Sequence, residues 1–166
     1  MKQIGILSDT HGYLDDLLID HLKSCNEIWH AGDWGTGVAE ELEKRTTVKG
    51  VFGNIDGQFI RKKYPEFISF SCEDVKVLII HIGGYPGRYE NGVKDLIKKH
   101  NPNIFISGHS HILKIMRDEK MNNLLHINPG AAGKSGFHDT RTIVKLKIEG
   151  QRIFDVQVIE LGKRTG

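Results

Sequence analysis

The sequence predicts an α/β protein: a two-sheet sandwich with helices on the outside. Three observations carry this. The first half alternates strand and helix patterns, the second half ends in strands alone, and 39% hydrophobic with 27% charged residues marks an ordinary globular chain. The 166 residues are read as one domain spanning 1–166, with enough length to build a core without disulfide or metal staples.

The elements follow in order. Lys2 to Ser8 is an apolar strand run. Leu14, Leu17, Leu18, Leu22 and Cys25 recur at helical spacing, with Asp15 and Asp16 in the first turn. Glu27 to Trp29 is a short strand, and Thr36 is placed to cap a helix bearing Val38, Ala39 and Leu42. Thr47 to Phe52 is β-branched and apolar, so the β-α-β-α-β order implies parallel strands. Val75 to Ile80 is a strand, a helix capped at Asn91 carries Val93, Leu96 and Ile97, and Asn101-Pro102 ends it before a strand over Asn103 to Ser107. Near the C-terminus, Val144, Leu146 and Ile148, then Phe154, Val156 and Val158, alternate about the Glu149-Gly150 turn, predicting an antiparallel hairpin with those residues on the core face.

Composition excludes several classes. Lys plus Arg number 23 against 21 Asp plus Glu, a net charge of +2, too balanced for stable gripping of a nucleic acid backbone. Cys25 and Cys72 form no CxxC pair, and no GxGxxG or P-loop follows a strand. The longest apolar stretch, Val77 to Gly87, is far short of the roughly 20 residues of a membrane helix. The N-terminal apolar run is too short for a signal peptide, so no membrane association and a cytoplasmic location are expected.

Nine histidines stand out, and the chemistry clusters where strands end. Five strands run into Asp9-Thr10-His11, His30-Ala31-Gly32-Asp33, Gly53-Asn54, His81 and Gly108-His109-Ser110-His111. Ligands bind beyond the carboxyl ends of parallel strands, so these segments belong on one rim. Asp9, His11, Asp33, Asn54, His81, His109 and His111 mix carboxylate, amide and imidazole, a donor set suited to Mn, Fe, Zn or Ni. They are too many for one such ion and suit two ions sharing a bridging carboxylate, the usual clamp for phosphoryl displacement. Two dications against two Asp leave the site positive, which favours an anionic substrate. Gly32, Gly53 and Gly108 are read as turn glycines that aim the ligands.

These segments, in this order over Met1 to Asn128, resemble the calcineurin-like metallophosphoesterases. The Gly53-Asn54-Ile55-Asp56 form and Asn128-Pro129-Gly130 resemble the compact bacterial and archaeal phosphodiesterase branch, which includes the retromer subunit Vps29. The resemblance implies a four-layer α/β/β/α sandwich of two mixed sheets flanked by helices. It implies two divalent metal ions, manganese first and Fe, Zn or Ni after it. One ion would be held by Asp9, His11, Asp33 and His111, the other by Asp33, Asn54, His81 and His109, with Asp33 bridging. Asp33, Asn54 and His109 would be catalytic, and a metal-bridging hydroxide would attack phosphorus. The partner would be a phosphate-ester substrate, a small molecule or nucleotide; homo-oligomerisation is left open. The alternative is a Vps29-like interaction scaffold with little or no hydrolysis.

Two departures bear on mechanism. Larger relatives carry a His directly after the Asn, where this chain has Ile55, and many have His-Gly-His where this chain has His81-Ile82-Gly83. No evident protein acid then protonates the leaving group, unless His138 reaches it from the loop after Gly133-Lys134-Ser135-Gly136. His30 is expected behind the ligands, Trp34 and His126 in packing roles, and Asn128 either orienting a ligand or capping a turn. Tyr85 and Tyr89 are weighed as base-stacking rings against loop anchors, and Arg88, Lys134 and Arg141 as phosphate contacts against surface charges.

Overall fold

The computed structural model describes residues 1–136 and 139–164. In chain order the elements are β1 (Lys2–Leu7), α1 (Asp16–Leu22), β2 (Glu27–His30), α2 (Val38–Glu43), β3 (Thr47–Gly50), α3 (Gln58–Lys63), β4 (Phe67–Cys72) and β5 (Val75–Ile80). After them come β6 (Gly84–Tyr85), β7 (Arg88–Tyr89), α4 (Val93–His100), β8 (Ile104–Ile106), β9 (Lys114–Asp118), β10 (Leu124–Asn128), β11 (Thr140–Glu149) and β12 (Arg152–Lys163).

Two five-stranded mixed sheets pack face to face, one ordered β12-β11-β1-β2-β3 and the other β4-β5-β8-β10-β9. β1, β2 and β3 run parallel, as do β5, β8 and β10. Between the sheets lie Ile4, Ile6 and Trp29 from one side and Val77, Ile79, Ile104 and Ile127 from the other. The outer face of the first sheet packs through Leu7 and Ile28 onto Leu18, Leu22, Leu42 and Ile60 of the helices. The outer face of the second packs Leu78 and Phe105 onto Val93 and Ile97 of α4. Because both faces of the central strands are covered, these strands read as continuous apolar runs. Among the described residues, no helix is long and apolar enough to cross a membrane.

Some local expectations change. α2 starts at Gly37 and α4 at Gly92, both at positive φ with no side-chain cap, so neither Thr36 nor Asn91 caps its helix. Asp15, by contrast, caps α1 through Leu18 N at 3.0 Å. The β11–β12 hairpin forms, but Phe154, Val156 and Val158 do not share a core face. Lys147 pairs with Phe154 and Lys145 with Gln157, so one extra residue bulges at Asp155 (φ 52°) and flips the alternation. β12 is also the sheet's edge, which leaves Val156 and Val158 exposed while Ile153, Ile159 and Leu161 face the apolar clusters.

Candidate metal centre

All seven residues expected as ligands lie where the parallel strands end. Asp9 and His11 follow β1, Asp33 follows β2, Asn54 follows β3, His81 follows β5, and His109 and His111 follow β8. Ligand atoms of Asp9, His11 and His111 form one group within 4.8 Å, and those of Asp33, His81 and His109 form a second. Asp33 Oδ2 stands 3.3 Å from His81 Nε2 and 3.7 Å from His11 Nε2, so it lies between the two groups. Asn54 Oδ1 joins the second group, 2.9 Å from His81 Nε2 and 3.0 Å from His109 Nδ1.

The backbone is distorted where it presents these donors. Asp9, His11, Asp33, His109 and His111 all have positive φ, between 46° and 69°. Such conformations cost roughly 1–3 kcal/mol each and persist where the surroundings enforce them. The enforcement is visible. Asp9 N donates to Gly32 O and His11 N to Asp33 O, stitching the β1 and β2 loops together. Asp56, buried, accepts from the amides of Asp33, Trp34, Gly35 and Gly53 at 2.8–3.3 Å and ties the β2 loop to the β3 loop.

Three glycines serve close approach. A Cβ on Gly53 would stand 2.1 Å from Asp33 Oδ1, and one on Gly108 would stand 2.2 Å from Ser8 Oγ. Neither has positive φ, so their role is to leave space for donors. Gly32 does take a left-handed turn (φ 103°), and a Cβ there would also press on His81 at 2.6 Å.

The donor set fits divalent cations. Asp9 Oδ2 is used by Ser8 Oγ at 2.6 Å and His109 N at 3.1 Å, while buried Asp9 Oδ1 and His11 Nε2 have no hydrogen-bond partner among the described residues. Ala31 O accepts from His81 Nδ1 at 2.7 Å, which makes Nδ1 the protonated nitrogen and turns the Nε2 lone pair toward Asn54 and Asp33 oxygens. Lone pairs facing lone pairs require either a proton or a metal ion between them.

Without metal, protons fill that role. Burial disfavours charge on Asp9, yet His11, His111, His81 and the Ser8 hydroxyl outweigh it and hold the carboxyl far below the usual range. Burial likewise opposes charge on Asp33, and His81 with the Ile55 amide outweighs it. His11 is raised by Asp9, and His81 is raised because Asp33 and Asp9 overcome its burial.

Other expectations sort themselves by contact. His30 lies behind the ligands, with Nδ1 accepting from Gly32 N, Nε2 on Thr10 Oγ1 and its ring stacked on Trp34 at 3.9 Å; burial pushes its pKa down to about 3. Trp34 is a buried packing residue bonded to Val51 O. Asn128 orients rather than ligates: its amide donates to Gly108 O and Ser110 Oγ and accepts from Gly130 N. Arg141 is no substrate contact: it is buried, bonded to Asp15 and Ala132 O. Tyr89 is an anchor, packed on Phe105 with its hydroxyl on Asp118, and Lys134 rests over the Tyr13 ring. His138 lies outside the described residues.

Sequence reasoning missed two buried supports. Asp56 enters the sequence reading only as the last residue of the Gly53-Asn54-Ile55-Asp56 form, with no supporting role assigned to it. Arg164 donates to the carbonyls of Ala131, Gly133, Ser135 and Thr140, fixing the segment that runs past Asp9 and His111. An acid after Gly-Asn was a usable signal for the first; nothing local marks the second.

Residues 1–151, which carry both carboxylate–imidazole groups, match the calcineurin-like phosphoesterase superfamily domain, so the chain belongs to that superfamily. A probable metallophosphoesterase of Methanothermobacter thermautotrophicus is 29% identical over 165 residues, covering 96% of this chain and 92% of that protein. A phosphodiesterase of Methanocaldococcus jannaschii is 28% identical over 145 residues, covering 77% and 82%. Vps29 of Entamoeba histolytica, solved in complex with zinc, matches with a TM-score of 0.75 at 15% identity over 96% of this chain and 98% of that one. That last likeness is one of fold.

Proposed function

We propose that this chain, one domain across 1–166, is a metal-dependent phosphodiesterase. The carrying observation is the pair of donor groups flanking Asp33, in which buried Asp9 Oδ1 and His11 Nε2 make no hydrogen bond among the described residues and face only the other donors of the site. Asp9, His11, Asp33 and His111 hold one divalent ion, and Asp33, Asn54, His81 and His109 hold the second, with Asp33 common to both. Manganese is the first candidate, ahead of Fe, Zn and Ni. Bound ions of this kind supply Lewis acidity at phosphorus and lower the pKa of water toward neutrality.

The chain's own groups do the rest. Asp33 sets the spacing of the two halves, and the Asp56 carboxylate fixes Asp33. His109, exposed beside Asn54, is the donor-set imidazole nearest an incoming ester. Ile55, which stands where larger relatives carry His, is 49% exposed and offers no proton. β12 supports the one-domain reading, because it runs past residue 151 yet pairs along β11 in the first sheet.

Zinc bound to a Vps29 means that metal binding alone does not separate enzyme from scaffold; turnover does. The test is hydrolysis of aryl and alkyl phosphodiesters of graded leaving-group pKa by manganese-loaded protein, with and without chelator. We expect chelation to abolish activity and the rate to fall steeply with leaving-group pKa, since Ile55 stands where larger relatives carry the acid and general acid catalysis is worth about 10²–10⁴-fold. A metal-loaded protein that turns over no diester returns the scaffold reading, and a flat plot reveals a hidden acid.

A further inference from the structure

A cavity of about 250 Å³ opens beside His109 on the outer face of the second sheet. Tyr85 and Arg88 of the β6–β7 hairpin, Lys114 of β9 and His126 of β10 line it. It is smaller than the roughly 300–1,000 Å³ of pockets that enclose a whole drug-sized ligand. It has room for one arm of a substrate whose phosphorus sits at the donor groups, with which it shares His109.

His126 is the unusual member. It is fully buried, stacked on Phe105 with ring centroids 5.4 Å apart, and neither ring nitrogen makes a full hydrogen bond among the described residues. The Phe105 backbone is a polar neighbour that favours the charged ring, against its burial. Buried polar groups are normally satisfied, so an orphaned imidazole in a cavity lining points to a ligand. Burial, helped by the Lys114 charge, pushes its pKa down to about 4, so at neutral pH the ring is uncharged and presents one donor and one acceptor. The neighbouring amide has no such capacity left: Asn128 is committed to Gly108, Ser110 and Gly130.

Lys114 is the wall with freedom to move. Its ammonium rests over the Tyr85 ring, 4.0 Å from the centroid, on a flexible half-buried stem. A planar ring entering the cavity takes that place on Tyr85 and frees the ammonium, with Arg88, for the anionic ester. A plain phenyl group would leave His126 unsatisfied. A ring with donor and acceptor atoms in its plane would not.

We propose that this cavity is the subsite for one ester arm of the substrate, that the arm carries a nucleobase, and that His126 reads its polar edge. The proposal rests on the phosphodiesterase reading, but its test is a binding measurement that stands without turnover. Zinc-loaded protein is titrated calorimetrically with adenosine and uridine 5′-monophosphates, phenyl phosphate and methyl phosphate. We expect at least one nucleotide to bind about tenfold or more tightly than phenyl phosphate, and to move the ¹⁵N resonances of the His126 ring. In His126→Phe, which keeps a ring against Phe105, the gap should close to within about threefold while phenyl phosphate affinity holds. If that variant does not fold, Tyr85→Ala on the exposed hairpin should weaken the nucleotide about fivefold and methyl phosphate not at all. Phenyl phosphate matching both nucleotides overturns the nucleobase reading. A nucleotide gap unchanged in the folded His126→Phe variant, or His126 signals that stay still, overturns the role of His126. Failure to hydrolyse any diester sinks the phosphodiesterase reading alone.

Discussion

The two donor groups are built differently. Asp9, His11 and His111 are held from behind by backbone: Ala132 N donates to Ser8 O, Gly133 N to Asp9 O, and a Cβ on Gly136 would stand 2.7 Å from His111 Nδ1. That segment is in turn clamped by two buried arginines, Arg141 on Ala132 O and Arg164 on four carbonyls. Asp33, His81 and His109 have a buried pair and one exposed imidazole that opens onto the cavity. In the first half His11 and His111 are partly exposed but backed by main chain; in the second only His109 is exposed. With two ions bound as proposed, such a division would let one be positioned by the protein while the other faced the substrate, and outer groups that fix donors commonly set metal affinity 10–100-fold.

The bridging position breaks the comparison most sharply. Asp33→Asn removes the carboxylate proposed to serve both ions, so both should lose affinity together. We expect elemental analysis to fall well below two ions per chain, and diesterase activity to drop by more than the roughly 100-fold that an outer-shell change costs. His111→Ala should cost one ion only. An Asp33→Asn protein that retains two ions would show that the halves are independent.

Arg164→Gln tests the Asp9 half alone. It removes the planar fork that spans four carbonyls, which Lys cannot reproduce. Cadmium-113 resonances of the two sites separate the halves. We expect about tenfold weaker binding at the Asp9 group, with the Asp33 group within about twofold, and no rescue by Arg164→Lys. Arg152→Gln, exposed at the start of β12, is the control. Equal weakening at both sites, tracking a loss of global stability, would make Arg164 a packing residue only.

How much of this was legible follows from the same contrast. The donors were readable because each sits at the end of an apolar strand run, and strand ends are local features. The layers were readable from β-α alternation. α3 and β4 were not: QFIRKK is a single short turn pattern, and the FISFSC alternation leaves Phe67 39% exposed on an edge strand. The role of Gly53 and Gly108 was misread, because space beside Asp33 and Ser8 is a tertiary fact that no neighbour in sequence reports. Arg141 read as a surface charge or phosphate contact for the same reason; its partner Asp15 lies on the first helix's cap, far away in sequence.

That Arg141–Asp15 pair gives the smallest and most specific probe of the clamp. Asp15 accepts from Arg141 Nη1 at 2.8 Å and caps α1 through Leu18 N at 3.0 Å, while the Arg141 side chain is only 4% exposed. The Arg141 bond, supported by the Leu18 amide, holds the Asp15 carboxyl below its ordinary range against the opposing effect of burial. A depressed folded pKa means that the unfolded chain takes up the proton first. The stabilisation is therefore complete above the unfolded value of about 3.9 and is lost as pH falls through the lower folded value. Asp15→Asn keeps a capping oxygen and removes the charge. A hydrogen bond to a charged group is worth about 1.5–3 kcal/mol, and water on the Asp15 side reduces it here to about 1 kcal/mol. Urea unfolding of chelated wild type and Asp15→Asn should differ by that amount at neutral pH. The difference should shrink toward zero in acid, where the metal-site carboxylates titrate equally in both proteins and cancel. If the difference stays constant across that range, the charge of Asp15 does not stabilise the fold, and Arg141 holds Ala132 without help from it.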